Sequence, residues 1–437
     1  MNKKFVEKKG ILRLDVEFII GTRPREGGGA LARSSIVASL DLGSSKVCCM
    51  VGEISRNGEI DIIGYGVAPS TGIKKGNIVN IEAMVRSISE AVLQAQQMSN
   101  AKIDSVLVGV SGPNVTIVNN RGVVAIPRSD REITPHDVER VLQASRIIAI
   151  PPDREIIEVI PRQFIVDGCD GIRDPVGMIG TRLEVEVSII TGQLTTIQNV
   201  VRCVQKSGLE VEGLILKSLA AKEILLSDDE VDMGVALVDV GAGTTEITVF
   251  RGENIELYNL IPLGGDYVTN DIAIGLRLPY SQAEAIKRKY ACAAASLASD
   301  KPDIEIHSIG EASPRKISQK ELALIIEPRV QEIISLIHKE LKTVNYREML
   351  AAGIVLCGGG LLHMRGALEI AQKMLGIPVR AAKTDMYGFD HTFTVALGLL
   401  YYGSKNRSFG DRDEVRDKSA LSFFERAKRI LREYFLG

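Results

Sequence analysis

At 437 residues the chain is too long for a single hydrophobic core and suits two or more domains. Hydrophobic residues make up 45% and charged residues 25%, an ordinary soluble composition, and a formal net charge of −2 excludes a general nucleic-acid binder, which needs a basic surface. The six cysteines (Cys48, Cys49, Cys169, Cys203, Cys292 and Cys357) show no C-x-x-C spacing, which disfavours a zinc site or disulfide frame and reads as reduced, buried thiols of a cytoplasmic protein.

Residues 1–35 end in a glycine run and read as a flexible extension, or as sequence upstream of the true start. Their apolar part, Ile11 to Ile20, is interrupted by Arg13, Asp15 and Glu17 and makes a poor signal peptide. From Ile36 the pattern becomes regular. Ile36 to Asp41 and Lys46 to Ile54 read as two antiparallel strands joined by Leu42-Gly43-Ser44-Ser45, a turn that carries hydroxyl donors. A third strand is expected over Ile60 to Val67. Asn80 then caps an amphipathic helix with apolar positions Ile81, Met84, Val85, Ile88, Val92 and Ala95, and Ser105 to Val110 is the next buried strand. Strand, hairpin, strand, helix, strand is an α/β lobe, assigned to residues 36–110 and 191–230.

Residues 111–190 break that rhythm. Short strands (Gly122 to Ile126, Ile156 to Phe164, Leu183 to Ile190) and a helix opened by Thr134-Pro135-x-Asp137 predict an inserted α+β subdomain. The α/β rhythm resumes with a helix near Gln193 to Ser207, a strand near Leu209 to Ile215 and a helix near Lys217 to Leu226.

A second lobe is assigned to residues 231–403. It opens on Ala236-Leu-Val-Asp239-Val-Gly241-Ala-Gly243-Thr244-Thr245-Glu246, in which Asp239-x-Gly241 repeats Asp41-x-Gly43 at a distance of 198 positions, each between β-rich strands. A spacing that large means duplicated domains. Each loop can wrap an anion: glycines let backbone N–H groups converge on phosphate oxygens, hydroxyls add donors, and the acid needs a cation between itself and a polyphosphate. Two such hairpins on equivalent lobes would clamp one nucleotide's phosphates, with Asp41 and Asp239 near a magnesium ion, through water. Ser44, Ser45 and Lys46 join the first loop.

Strand Ile255 to Leu260 and Gly264-Gly265-Asp266, the start of a helix to Leu276, come next. A helix through Ala283 to Lys287 begins an outer subdomain at residues 280–345, whose stretch 298–318 reads as polar and irregular before a long helix from Gln319 to Val344. Glu284 and Lys287 are either a solvated i, i+3 pair or ribose and adenine contacts. Gly353 to Gly360 runs from a buried strand into Gly358-Gly359-Gly360, either a plain turn or a wall on which a purine can lie flat, with a helix expected to begin at Leu361 and to aim its N-terminus at anions. Walker A and G-x-G-x-x-G patterns are missing, which disfavours P-loop and Rossmann sites.

The chain's close reads as a polar linker, residues 404–420, and an amphipathic helix, residues 421–437. Phe423, Phe424, Ile430, Leu431, Tyr434 and Phe435 share a face, and Arg426, Lys428, Arg429 and Arg432 the other. Four aromatics bury at most roughly 15 to 25 kcal/mol of apolar surface, most of which the ordering of the segment offsets. Such a helix binds an anionic membrane surface weakly and reversibly, and a polymer would strengthen it by avidity. The bland alternative is packing on its own domain or on a partner.

Together these motifs resemble the actin, sugar-kinase and heat-shock-chaperone superfamily. Asp41 to Lys46, Asp239 to Glu246 and Gly353 to Gly360 are similar to its two phosphate motifs and its adenosine motif. Within it, Asp153-Arg-Glu-Ile-Ile-Glu-Val-Ile-Pro-Arg-Gln-Phe164, Gly171-Ile-Arg-Asp-Pro-Val-Gly-Met178, Ala283 to Lys287 and Ile326-Glu-Pro-Arg329 resemble the FtsA family of bacterial cell-division proteins over about Ile36 to Gly403.

The resemblance implies a two-lobed actin-like (ribonuclease H-like) α/β fold that binds ATP and Mg2+ and polymerises with copies of itself. It implies a peripheral place on the cytoplasmic face of the cell membrane at the division site. There the chain would tether the FtsZ C-terminal tail and recruit later division proteins through the inserted subdomain. Arg315, Lys316, Lys320 and Arg329 would meet the acidic FtsZ peptide. Asp239 and Glu246 would carry any hydrolysis, but Glu246 stands where relatives have aspartate and Ala242 where they have glycine, which implies at most a weak ATPase. The rival reading is a small-molecule kinase on the same fold, with Gly265-Asp266 as its base motif.

Overall fold

The computed structural model describes residues 35–55, 59–113, 115–127, 129–310, 313–383 and 388–410. The N-terminal extension, the end of the linker and the whole amphipathic segment 421–437 lie outside the described residues.

The first sheet is built from β1 (Ser35–Leu42), β2 (Lys46–Ile54) and β3 (Ile60–Pro69), an antiparallel meander of β-branched and small residues. A small hairpin, β4 (Ile73–Lys74) and β5 (Asn77–Ile78), precedes α1 (Ile81–Ser99), whose N-cap Asn80 accepts the Ala83 N–H. Then β6 (Ser105–Val110) returns parallel to β1.

The inserted unit follows: β7 (Thr116–Ala125), α2 (Pro135–Ser145), β8 (Arg154–Val166), β9 (Cys169–Ile172) and β10 (Arg182–Gln193). Its antiparallel sheet runs β7-β10-β8-β9, with α2 against β7 and β10 over a core of Ile133, Val141, Phe164, Leu183 and Val187. The expected cap is present as a capping box between Thr134 and Asp137.

After α3 (Leu194–Lys206), β11 (Glu210–Leu216) completes the first sheet in the order β11-β6-β1-β2-β3. Helices α4 (Lys217–Leu225) and α5 (Asp228–Met233) lead into the second sheet. Its antiparallel strands are β12 (Val235–Val240), β13 (Thr245–Arg251) and β14 (Asn254–Ile261). Helices α6 (Gly265–Leu276) and α7 (Tyr280–Tyr290) follow.

The stretch expected to be irregular, 298–318, instead holds a hairpin of β15 (Ile304–Ile306) and β16 (Arg315–Ile317), with Ile304, Ile306 and Ile317 buried. Next come α8 (Gln319–Leu341), α9 (Tyr346–Met349) and β17 (Ile354–Cys357). The helix expected at Leu361 begins at Ala367: residues 358–366 form turns, and α10 (Ala367–Leu375) opens after Gly366, whose φ of 88° a helix interior cannot hold. Then β18 (Val379–Ala381) closes a sheet of order β14-β13-β12-β17-β18. The two sheets are the same meander-plus-crossover twice, which is the duplication seen in the Asp-x-Gly repeat.

The final helix, α11 (Thr394–Gly410), departs from its expected place in two ways. It continues through Gly410, so residues 404–410 of the expected linker are helical. It also packs on α4 and on β1, β2 and β6, with the Ser39 hydroxyl donating to the Ala396 carbonyl at 2.7 Å, and so belongs to the first lobe. Leu219 and Ala220 of α4 and Leu399 and Leu400 of α11 share one core with Val37 and Met50 of the first sheet and Leu237, Phe250 and Val355 of the second. This helix pair thus packs against residues of both sheets.

Candidate functional site

The two hairpins have one geometry. In the first, Leu42 pairs with Val47 and Asp41 with Cys48; in the second, Val240 pairs with Thr245 and Asp239 with Glu246. The Gly43 N–H donates to the Lys46 carbonyl at 3.0 Å, and the Gly241 N–H to the Thr244 carbonyl at 2.9 Å. On their other side Asp41 lies beside Gly109 and Asp239 beside Cys357, in parallel register. The tips meet: a Cβ on Gly243 would sit 2.8 Å from the Ser44 hydroxyl. Ser45 lies exposed beside it, its carbonyl accepting the Ser70 N–H.

Beneath the tips lies a carboxylate floor. The Lys217 ammonium, at the first residue of α4, forms an ion pair with Asp41 Oδ1 and donates to the Leu42 carbonyl, both at 2.7 Å. Burial opposes the lysine's charge, but Asp41, with Glu246 and Asp239 further off, raises its pKa above the ordinary value. Burial, then the charge of Asp41, pushes Asp239 up to about 6 against the pull of Lys217. Glu246 is pushed up to about 8 by burial and then by Asp239. Ser218 and the Tyr258 hydroxyl reach it, Tyr258 accepting the Gly112 N–H at 3.2 Å, while Glu246 Oε1 is buried with no partner. Of the buried groups in the floor, burial and neighbouring acid charge thus favour the neutral form most at Glu246, while the acids around Lys217 favour its charged form.

The far wall comes from the second lobe. Gly265 and Asp266, at the start of α6, donate to the Gly241 and Ala242 carbonyls at 2.9 and 2.8 Å, and Gly264 packs on the same loop. The Gly360 N–H donates to the Val240 carbonyl at 2.7 Å, and a Cβ on Gly358 would lie 2.1 Å from Asp239 Oδ1, so that turn tolerates glycine alone. Gly359 is exposed at the rim.

Glu284 and Lys287 are not a solvated pair. Lys287 is 4% exposed and donates to Glu284 Oε2 at 2.7 Å, to the Thr269 hydroxyl at 2.8 Å and to the Gly265 carbonyl at 3.1 Å. Burial would raise the Glu284 pKa, but hydrogen bonds from Lys287, Thr269 and Arg288 hold it at about 2.

Two expected donors point elsewhere. The Thr245 hydroxyl is fully buried and donates to the Leu263 carbonyl at 2.8 Å, because strand neighbours face opposite ways and only Thr244 lies in the turn. Lys46 donates to the Thr392 hydroxyl, and its ammonium lies 3.9 Å from the centroid of the Phe393 ring, near Asp390. Lys217, Tyr258 and Asp390 escaped the sequence reading. The one signal for Lys217 was a lysine directly after an apolar strand.

Of the expected partner surface, Arg315 and Lys316 are exposed on β16, and Lys320 pairs with Asp300 at 3.1 Å. Arg329 bonds Asp271 at 2.6 and 3.1 Å and also Glu332, so its guanidinium is committed within its own subdomain. Among the described residues no helix is long and apolar enough to cross a membrane, and no cluster of three or more His, Cys, Asp or Glu side chains is set to hold a metal directly.

A family model described as "SHS2 domain inserted in FTSA" matches residues 112–191, and one described as "Cell division protein FtsA" matches residues 236–398. The cell division protein FtsA of Pseudomonas aeruginosa is 41% identical over 394 residues, covering 89% of this chain and 94% of that one. The chain belongs to the FtsA family. It is therefore a cell-division protein of the actin-like superfamily, and the β7–β10 unit is the SHS2 domain that interrupts its first lobe.

Solved structures agree on the fold. The PilM-PilN type IV pilus biogenesis complex matches with a TM-score of 0.58 at 18% identity, over 84% of this chain and 98% of that one. MreB 5 of Spiroplasma citri bound to AMPPNP matches at 0.53 and 14% identity, over 87% and 99%. The same protein bound to ADP matches at 0.51 and 16%, over 85% and 98%. The FtsA-family chain thus has the two-lobed actin-like architecture with its SHS2 insertion.

Proposed function

We propose that this FtsA-family chain binds ATP between its two hairpins and works as a polymerising adaptor on the cytoplasmic face of the membrane. Its C-terminal amphipathic segment would anchor it, its outer subdomain around β16 and α8 would hold the FtsZ C-terminal tail, and its SHS2 domain would recruit later division proteins. The observation that carries the nucleotide reading is the pair of equivalent Asp-x-Gly turns meeting tip to tip over a carboxylate floor. The nucleotides named for the MreB 5 structures support it.

The floor also fits a divalent cation. It holds a buried, unpartnered Glu246 Oε1 and an excess of carboxylate over ammonium. Asp41 and Asp239 would hold Mg2+ through water, and the ion would screen the phosphates from both acids. Backbone N–H groups of the two turns, with Ser44 and Thr244, would orient the phosphates, and the glycine turn at 358–360 with Glu284 and Lys287 would face the nucleoside. In the nucleotide-free protein burial and Asp239 push the Glu246 carboxyl up to about 8, which favours its neutral form over a base for an attacking water and supports at most slow hydrolysis. The kinase reading is not favoured, because the family model and the curated relatives that match the chain are cell-division proteins.

The test is co-sedimentation of the full chain with anionic liposomes and FtsZ in ATP. The chain is expected to pellet with lipid and carry FtsZ down, and to stay in solution once residues 421–437 are removed. Equal pelleting of the truncated chain would refute the anchor, and ATP-dependent phosphorylation in a polyol panel would revive the kinase.

A further inference from the structure

Lys217 stands where a lysine is hard to place. It opens α4, where the helix dipole disfavours a cation, and no side chain caps that end. Its ammonium is largely buried, with side-chain exposure of 14%. Its stem runs over Gly109, where an added Cβ would come 3.2 Å from Lys217 Cγ and as close to the Val395 and Leu399 side chains of α11, so the stem is packed tightly between strand and helix. At the equivalent register position the second lobe has the buried Cys357 beside Asp239.

These costs are offset at one place only, the base of the first hairpin. There the ammonium pairs with the Asp41 carboxylate and donates to the Leu42 carbonyl, and it feels Glu246 and Asp239 as well. The other cations near the turns lie elsewhere: Lys46 sits on Thr392 and Phe393, and Lys75 faces the Tyr267 ring, with 5.6 Å to its centroid.

We propose that Lys217 is a resident cation of the phosphate site, supplying from the protein part of the positive charge that bound phosphates require, so that nucleotide binding depends only weakly on a divalent ion. The proposal rests on the nucleotide reading given above. Without Lys217 both aspartates would face the phosphates unneutralised, and only an added ion could separate them. One unit charge at close range in such a site corresponds to about a hundredfold in affinity.

The experiment titrates the full chain with a fluorescent ATP analogue, once with magnesium and once with EDTA, in wild type, Lys217→Gln and Lys217→Arg. Wild type is expected to lose no more than about tenfold in EDTA. Lys217→Gln is expected to lose about a hundredfold more in EDTA than in magnesium, and Lys217→Arg to keep the wild-type ratio. A purely structural lysine would shift both conditions together and leave that ratio alone. If Lys217→Gln does not fold, the wild-type ratio and the arginine variant decide. A wild-type loss above about a thousandfold in EDTA, or an unchanged ratio in Lys217→Gln, overturns the proposal. Failure of wild type to bind nucleotide even with magnesium would instead sink the nucleotide reading and the proposal with it.

Discussion

Replacing Glu246 by glutamine should stabilise the nucleotide-free protein at neutral pH. The carboxyl is pushed up to about 8 by burial and by Asp239, against an ordinary value of 4.5. In the unfolded chain it is ionised above about pH 4.5, whereas the folded chain keeps its proton until about pH 8. Folding therefore takes up a proton across that window, and wild-type stability falls as pH rises from about 4.5 to 8, then levels off. Glutamine has nearly the same shape and no proton to take up. At pH 7 the difference amounts to about 3 kcal/mol in favour of Glu246→Gln, and at pH 5 to less than about 1 kcal/mol. Thermal melts at the two pH values should show Tm raised by roughly 4 °C at pH 7 and by about 1 °C or less at pH 5. A variant that melts at or below wild type at pH 7, or one whose advantage is the same at both pH values, would refute the picture of a carboxyl held neutral in the floor.

Lys287→Met should cost about 3 to 5 kcal/mol, because it strands Glu284 and the Gly265 carbonyl, while the double change with Glu284→Gln should cost far less; a double-mutant cycle on melting midpoints checks this. The depressed Glu284 pKa contributes stability that is present above about pH 4.5 and lost as pH falls toward about 2, a dependence that Lys287→Met should flatten. Thr245→Val removes the bond to the Leu263 carbonyl and should cost about 1 to 2 kcal/mol, with faster hydrogen exchange at Gly265 as a second readout.

Much of this site could be read from the chain, and the failures have physical causes. The Asp-x-Gly repeat identified both hairpins because strand alternation and turn glycines are local signals. Asn80 and the Thr134 capping box fixed two helix starts for the same reason. The helix at Leu361 failed because apolar residues run on through a turn that only the positive φ of Gly366 ends. Ile304 and Ile306 alternate like a strand, but three residues amid charge gave too short a signal.

Lys217 and Lys287 are buried by partners that lie far away in sequence or across a helix, Asp41 in one case and Thr269 with Gly265 in the other. Spacing alone cannot separate a solvated i, i+3 pair from a buried one. The same limit misplaced α11, whose apolar residues suit either lobe until α4 and β1 are seen to cover them.

The central claim is that the two turns close on one nucleotide, and Gly243→Val tests it most directly. Its side chain would project onto Ser44 of the facing hairpin, where even a Cβ would come within 2.8 Å of the hydroxyl, so it should wedge the tips apart while leaving each lobe's core intact. Calorimetric titration of ATP with magnesium is expected to show one site per wild-type chain and an affinity at least about tenfold weaker in the variant, with a melting temperature within a few degrees. Unchanged affinity in a folded Gly243→Val protein would contradict the account.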